Sequence, residues 1–431
     1  MKNPIAYIKK IVMVSYRRAM RSIAFYPILV SLSLFLLSLV TLNFENLEFV
    51  THLKQKAAYI FISDSETART ILSTLIGSIL SLTVFSFTMV MVVLSQASTN
   101  FSPRLLPSLI SNKRHQLILG FYLGTLLYCM VILIALGAYE LKESTIGMST
   151  TIAALLGILC VGLFVSFIHN ISQAVQVQNI VRRLFDRANQ TLDKEEKNQE
   201  TTQISLQEIA SDNFSSVRSE KGGYFQGFDI DLLHTKVFKA EVRIVIVPYQ
   251  AAHIWKGGLL LKTSRNLSEA ETTALRLACS ITTDLHDGNA PLLELIKLME
   301  IAVRAMSPGI NDPGTAVSVV HKLGPLLVKM VRLPAYTSLS ESKKPFVIIK
   351  TNISTKQLLE KIVQPIRLYA KKDSTIMTAL IDTLCHLRDN HGITEPDMEA
   401  ILEAMECLRQ DISDSVPNKN DKELLLRQFS L

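Results

Sequence analysis

Seven hydroxyl side chains, Thr70, Thr74, Ser78, Ser81, Thr88, Ser95 and Thr99, recur near helical spacing along one apolar stretch of this chain. Hydroxyls in that register suit two kinds of chemistry. They can line a polar path, replacing part of the water shell of a permeating species. They can also let helices approach closely in lipid, because small and hydroxyl residues admit tight backbone contact. Ser73, Gly77 and Ser81 form a small-xxx-small row on the same stretch. Thr74, Ser78, Ser81 and Thr88 are therefore the pore-lining or helix-packing set, and the two roles are compatible in an oligomer.

Two further groups stand out. Arg104, Lys113 and Arg114 lie around Ser102-Pro103, where Ser102 can cap a new helix and Pro103 can occupy its first position. This reads as an interfacial elbow whose three cations meet lipid headgroups. Ser307, Pro308, Gly309, Asn311, Asp312 and Pro313 crowd into one decapeptide. Two prolines, two glycines, an asparagine and an aspartate demand one particular turn. Asp312 as cap and Pro313 as first residue are good helix-start chemistry. The expectation is a structural or regulatory corner. A helix N-terminus there could attract an anion, but Asp312 opposes it.

Other reactive residues do not converge. The chain has no H-E-x-x-H, no G-x-x-x-x-G-K-[ST] and no G-x-S-x-G motif. Asp284, His286 and Asp287 would point different ways on a helix, and His386 and His391 are five apart, so no metal site is expected. The five cysteines are scattered singly. His169 reads as a satisfied interfacial histidine. Arg304, Lys322, Lys329 and Arg332 are spread along helices and mixed with acids, which does not make a nucleic-acid stripe. The expectation is a non-enzyme with no catalytic residues and no cofactor.

The elements that must carry these groups follow from clustering of apolar residues. Of 431 residues 48% are hydrophobic, an ordinary fraction, yet mean hydropathy is +0.27 because the apolar residues are concentrated in the first 170. A bilayer core needs roughly 20 apolar residues in helical form. Four windows qualify: Ile23–Leu42, Ile71–Leu94, Leu117–Leu136 and about Met148–Ile168, none containing Asp, Glu, Lys or Arg. Basic residues cluster before span one, between spans two and three, and after span four. The other two loops are mixed. The positive-inside rule then puts both termini in the cytoplasm. The basic-then-apolar start lacks an A-x-A-like cleavage site and reads as a retained anchor.

The chain divides into a basic N-terminus (1–22), a four-span region with an amphipathic stalk (23–187), a polar linker (188–203), a β-rich module (204–265) and a mainly helical domain (266–431). The fold class is membrane α-helical plus a cytoplasmic α+β domain. In the module, Ser216–Arg218, Tyr224–Phe228, Glu241–Val247 and Leu259–Lys262 read as strands. Trp255 reads as a core or interface anchor rather than a ligand platform. Ser268 and Glu271 form a capping box before a helix expected to reach Leu285. Helices are expected from Pro291 to Met306, then to Val331, and over 354–369, 374–390 and 394–413, with a strand at Phe346–Lys350 and a short tail helix.

Three motifs are familiar: Leu94-Ser95-Gln96-Ala97-Ser98-Thr99-Asn100-Phe101-Ser102-Pro103-Arg104-Leu105-Leu106, Leu119-Gly120-Phe121-Tyr122-Leu123-Gly124-Thr125, and Ile301-Ala302-Val303-Arg304-Ala305-Met306-Ser307-Pro308-Gly309-Ile310-Asn311-Asp312-Pro313. They resemble a family of bacterial predicted membrane proteins, the domain of unknown function numbered twenty-two fifty-four. The resemblance covers nearly the whole chain. It implies a bacterial inner-membrane location and the same layout of spans and tail, and supplies no activity. Four thin helices rarely enclose a conduit alone, so a path would need several subunits about an axis. The functional expectation is an oligomeric, channel-like protein regulated by its cytoplasmic domain. The alternative is a non-conducting scaffold or sensor that binds a cytoplasmic partner.

Overall fold

The computed structural model describes most of residues 22–429. Outside it lie 1–21, 101–112, 139–146, 200–213, 234–237, 286–289, 339–344 and 430–431, most of 46–60 and several single positions. The interfacial elbow with Arg104, and His286 with Asp287, fall outside the described residues. The chain forms two units. One is built from the first 176 residues apart from 100–104, and the other from 177–431 together with 100–104.

The first unit holds four helices long and apolar enough to cross a membrane. They are α1 (Phe25–Phe44), α2 (Ser65–Asn100), α3 (Lys113–Ala138) and α4 (Gly147–Ala174). Their outward sides carry large apolar groups, among them Ile28, Val84, Ile134, Ile158 and Val165, each more than half exposed within the chain. Lipid is the solvent that such a surface requires. α3 is the central element. A Cβ on Gly120 would stand 2.8 Å from the Pro27 Cα, and one on Gly124 would stand 3.0 Å from the Ser31 Cα. The G-x-x-x-G of span three is therefore a close-approach face for α1. Gly157 of α4 sits equally tightly against Leu75 of α2. Ala153 of α4 is fully buried with Leu72, Cys129 and Ile132.

Helix α4 runs past the span to Ala174, and helix α5 (Val177–Gln199) begins the second unit, with Val175 outside the described residues. The stretch 188–203, read from its polarity as a linker, is helical as far as Gln199. Its sparse apolar residues all fall on one side: Ile180, Val181, Leu184, Ala188 and Leu192 are buried. That side packs on the helices that follow, and Lys329 binds Asn189 Oδ1 at 2.8 Å and pairs with Asp193. A polar composition hid a period of three and four.

The strands are β1 (Ser215–Arg218), β2 (Gly223–Phe228), β3 (Val242–Ile246), β4 (His253–Ile254) and β5 (Leu259–Thr263). Helix α6 (Glu269–Ala278) follows, then β6 (Cys279–Thr282), α7 (Pro291–Ala305), α8 (Pro313–Val331), β7 (Tyr336–Ser338) and β8 (Phe346–Thr351). Four helices close the chain: α9 (Thr355–Ala370), α10 (Ser374–Arg388), α11 (Glu395–Ser415) and α12 (Lys419–Gln428). A five-stranded sheet runs β1-β5-β3-β8-β7, and a three-stranded sheet runs β4-β2-β6. β3 and β8 pair in parallel, with Ile244 opposite Ile348. The β-rich region thus draws its central partner strand from about a hundred residues downstream. Buried on both faces, Val242, Ile244, Val245 and Ile246 suit that central place.

The helix expected to reach Leu285 stops at Ala278. Its capping box is present as expected, with Ser268 Oγ accepting from Glu271 N and the Glu271 carboxylate accepting from Ser268 N. Cys279–Thr282 then extends as β6 beside β2. The run Ile281-Thr282-Thr283 is β-branched, which favours the strand.

Candidate functional site

The span-two hydroxyls do not face the interior of their own unit. Thr70, Thr74, Ser78, Ser81 and Thr88 are all exposed along α2, and so is Ser73. A Cβ on Gly77 would meet nothing within 4 Å. Among the described residues the small-xxx-small row is thus exposed, and none of them makes the packing that its spacing suggests. Backbone geometry explains how the hydroxyls tolerate that position. Thr70 donates to Glu66 O at 2.9 Å, Thr74 to Thr70 O at 2.8 Å, Ser81 to Gly77 O at 3.0 Å and Thr88 to Val84 O at 2.9 Å. Each proton is satisfied one turn back along the helix, and each oxygen keeps acceptor capacity facing outward.

The interior of the unit holds a polar clamp that the sequence conceals. Glu45, which reads as one of several balancing loop charges, is only 3% exposed. It ends α1 and caps α4 from a distance of about a hundred residues. Its Oε1 accepts from Met148 N at 2.8 Å, and its Oε2 accepts from Ser149 N at 3.2 Å and Ser149 Oγ at 2.8 Å. A carboxylate at a helix N-terminus meets both the unpaired amides and the positive end of the dipole. Beside it Tyr128 OH donates to Ser149 O at 3.2 Å and lies 3.0 Å from Thr41 Oγ1. One buried cluster therefore ties α1, α3 and α4 together. The only sequence signal was an acid placed directly after a hydrocarbon run.

At the first turn of α3, Lys113 and Arg114 are exposed. Lys113 Nζ lies 5.6 Å from the centre of the Tyr26 ring, a cation-π distance that draws it to the start of α1.

In the second unit the decapeptide Ser307–Ala316 turns the chain between α7 and α8. Ser307 O accepts from Ile310 N and Asn311 N, both at 3.0 Å, and Asp312 N returns to Ala305 O at 2.8 Å. Asn311 has φ +47°, a left-handed conformation that Asn tolerates better than most residues. Asp312 caps α8, accepting from Thr315 N at 3.0 Å and Thr315 Oγ1 at 2.6 Å, and those bonds hold its carboxyl below the usual aspartate range. Its oxygens are thus occupied by the helix they start. Pro308, Gly309 and Ile310 stand exposed at the tip.

Trp255 is the chief surprise of this unit. The only tryptophan of the chain is 77% exposed, so it is not a core anchor. His253 meets it edge-on at 4.6 Å, and Tyr224 meets His253 at 5.1 Å.

The family described as predicted membrane protein (DUF2254) matches residues 20–386. The chain belongs to that family. An uncharacterised protein of Mycobacterium bovis and another of Mycobacterium tuberculosis are each 25% identical to it over 259 residues. The match covers 58% of this chain and 48% of each relative, so the chain spans about half the length of the curated relatives it matches. No solved structure matches. The family description agrees with the membrane unit, and it names no activity.

Proposed function

We propose that this chain is an oligomeric, non-enzymatic protein of the bacterial cytoplasmic (inner) membrane, with both termini on the cytoplasmic side, in which the outer face of α2 meets neighbouring copies and lines a channel-like path. The observation that carries the reading is the placement of Thr70, Thr74, Gly77, Ser78, Ser81 and Thr88 on one exposed helix side, in contrast to Gly120, Gly124 and Gly157, which pack against neighbouring helices of the same unit. Oxygens that keep acceptor capacity suit a polar path, and small residues suit close approach of copies. In this reading the packing role is made between chains, and the path keeps the several subunits that it requires. The basic clusters before span one, between spans two and three and after span four support the orientation.

Regulation would come from the second unit. α5 is fixed into that unit through Lys329 and its buried side, and it starts at Val177, close in sequence to the end of α4 at Ala174. A ligand or partner that shifts the second unit would therefore act on α4 through a short connection.

The test is flux from liposomes reconstituted with purified, oligomeric protein. Conductance to ions or small solutes, reduced by Ser78→Leu and Ser81→Leu, is expected. Silence across all solutes in an oligomeric preparation would overturn the reading. A non-conducting scaffold or sensor is the second reading, and the exposed aromatic group around Trp255 favours it. That reading requires both leucine variants to keep whatever activity the second unit has.

A further inference from the structure

The C-terminal ends of the parallel strands β3 and β8 open onto one cleft of about 560 Å³. That volume is in the range of small-molecule sites, and the ends of adjacent parallel strands are where open α/β sheets place ligands. Trp255, His253, Tyr249 and Tyr336 line it, with Asn352 and Gln357 supplying amides. Among the described residues lining it there is no Asp, Glu, Lys or Arg.

The turns that present the aromatic wall are held firmly. Ala251 takes φ +74°, a left-handed conformation that costs a non-glycine residue energy. It is kept there by its N–H to Phe225 O at 2.7 Å, while Phe225 N donates to Ala252 O at 2.9 Å. Past the tryptophan, Gly258 N donates to Trp255 O at 2.8 Å, Gly257 N to Ser219 O at 2.8 Å and Ser219 N to Gly258 O at 2.9 Å. Arg218 adds a bond to Gly257 O at 2.9 Å. A strained residue and a tip pinned to β1 hold out an indole that packing alone would bury. On the opposite wall, Asn352 Nδ2 donates to Pro334 O at 2.7 Å and to Thr337 Oγ1 at 3.2 Å, which fixes the loop after β8 beside Tyr336.

We infer that this cleft binds a neutral, planar heteroaromatic ring, of the nucleobase or flavin type, stacked on Trp255. A rigid, exposed indole is a stacking platform that needs no reordering when the ring arrives. With both of its N–H bonds spent on the loop, Asn352 offers its Oδ1 as an acceptor, and Gln357 offers a whole amide, which together suit the hydrogen-bonding edge of such a ring. A quaternary ammonium would favour an aromatic cage backed by a carboxylate, and the described lining carries none. The recognised part of the ligand is accordingly uncharged.

Trp255 is the sole tryptophan, so its emission reports on this cleft alone in the full-length protein. Adenosine, guanosine, riboflavin and tetramethylammonium are titrated separately into detergent-solubilised protein, with free tryptophan correcting for inner-filter loss. Saturable quenching by at least one of the three ring compounds is expected, and none by tetramethylammonium. Equilibrium dialysis with the radiolabelled ring compound should show affinity falling at least tenfold in Trp255→Ala and severalfold in Tyr336→Ala, a variant that also keeps the fluorescence readout. Lack of saturable quenching up to millimolar ring compound, a response to tetramethylammonium alone, or binding unchanged in a folded Trp255→Ala would each overturn the inference. These readouts involve no flux, so they stand or fall apart from the membrane reading.

Discussion

Helices α2 and α3 are built from similar material and meet opposite fates. Each spans an apolar stretch and each carries small residues four apart, Ser73-Gly77-Ser81 on one and Gly120-Gly124 on the other. In α3 the glycines are driven against the backbone of α1. In α2 the row faces outward. Burial of the most apolar window follows suit, at 44% for α3 and 17% for α2. Small-residue spacing thus declares that a face can be approached closely, and says nothing of who approaches it. In lipid no hydrophobic force favours one partner over another. The choice within the chain is made by polar anchors such as the Glu45 clamp, which binds α1 to α4 beside Tyr128 of α3.

The sharpest way to test that contrast is to fill the α1–α3 contact. In Gly124→Leu even the first carbon would lie 3.0 Å from the Leu34 Cβ and from the Ser31 Cα. A loss of about 3 kcal/mol is expected, in line with overpacking of a tight contact. It should appear as a fall in the thermal midpoint of the purified protein in detergent. Glu45→Ala should cost about 2 kcal/mol, because it strands two amides and a hydroxyl in a buried place. The same thermal assay reads it, and Glu45→Gln should recover part of the loss.

A second buried carboxylate gives the comparison a counterpart outside the membrane helices. Glu271 pairs with Arg265 at 2.7 Å and closes the α6 capping box, and the guanidinium hydrogen bond first, then the bonds from Ser268, lower its pKa to about 2. A depressed carboxyl stabilises fully above its unfolded value of about 4.5 and loses that contribution as pH falls toward about 2. The contribution at neutral pH is about 3 kcal/mol. Acid titration of unfolding, followed by far-ultraviolet circular dichroism, should show a steeper loss of stability below pH 4.5 in the parent than in Glu271→Gln.

The smallest effect on the fold is expected on the α2 side. A Cβ at Gly77 would meet nothing within 4 Å on an exposed helix side, so Gly77→Leu should change the stability of the single chain by no more than about 0.5 kcal/mol. Association between copies should weaken, giving a shift to lower mass in nanodiscs. A large stability loss without any change in mass would erase the distinction between the two helices.

What could be read from the sequence divides along similar lines. The spans, the Ser268–Glu271 capping box and the Asp312-Pro313 helix start were legible because each rests on neighbours in the chain. Residues 188–199 misled because a helix with few apolar residues resembles a linker until its one buried side is seen. β6 was missed because a capping box announces where a helix starts and says nothing of where it stops. The parallel pairing of β3 with β8, the Glu45 clamp and the exposure of Trp255 all depend on partners far along the chain. No local pattern encodes them. The hydroxyl row of span two was found with the right periodicity, and its direction was the part that sequence could not supply.

The most direct measurement of the account is disulfide trapping in native membranes. Cys407 is exposed and is first replaced by alanine. Ser78→Cys is then compared with Ile158→Cys, which stands 70% exposed on the outer side of α4. If the outer face of α2 seats a second copy, mild oxidation will convert Ser78→Cys to a dimer and leave Ile158→Cys monomeric. Monomer alone at Ser78→Cys, with normal expression and an oxidant shown to be active, would contradict it.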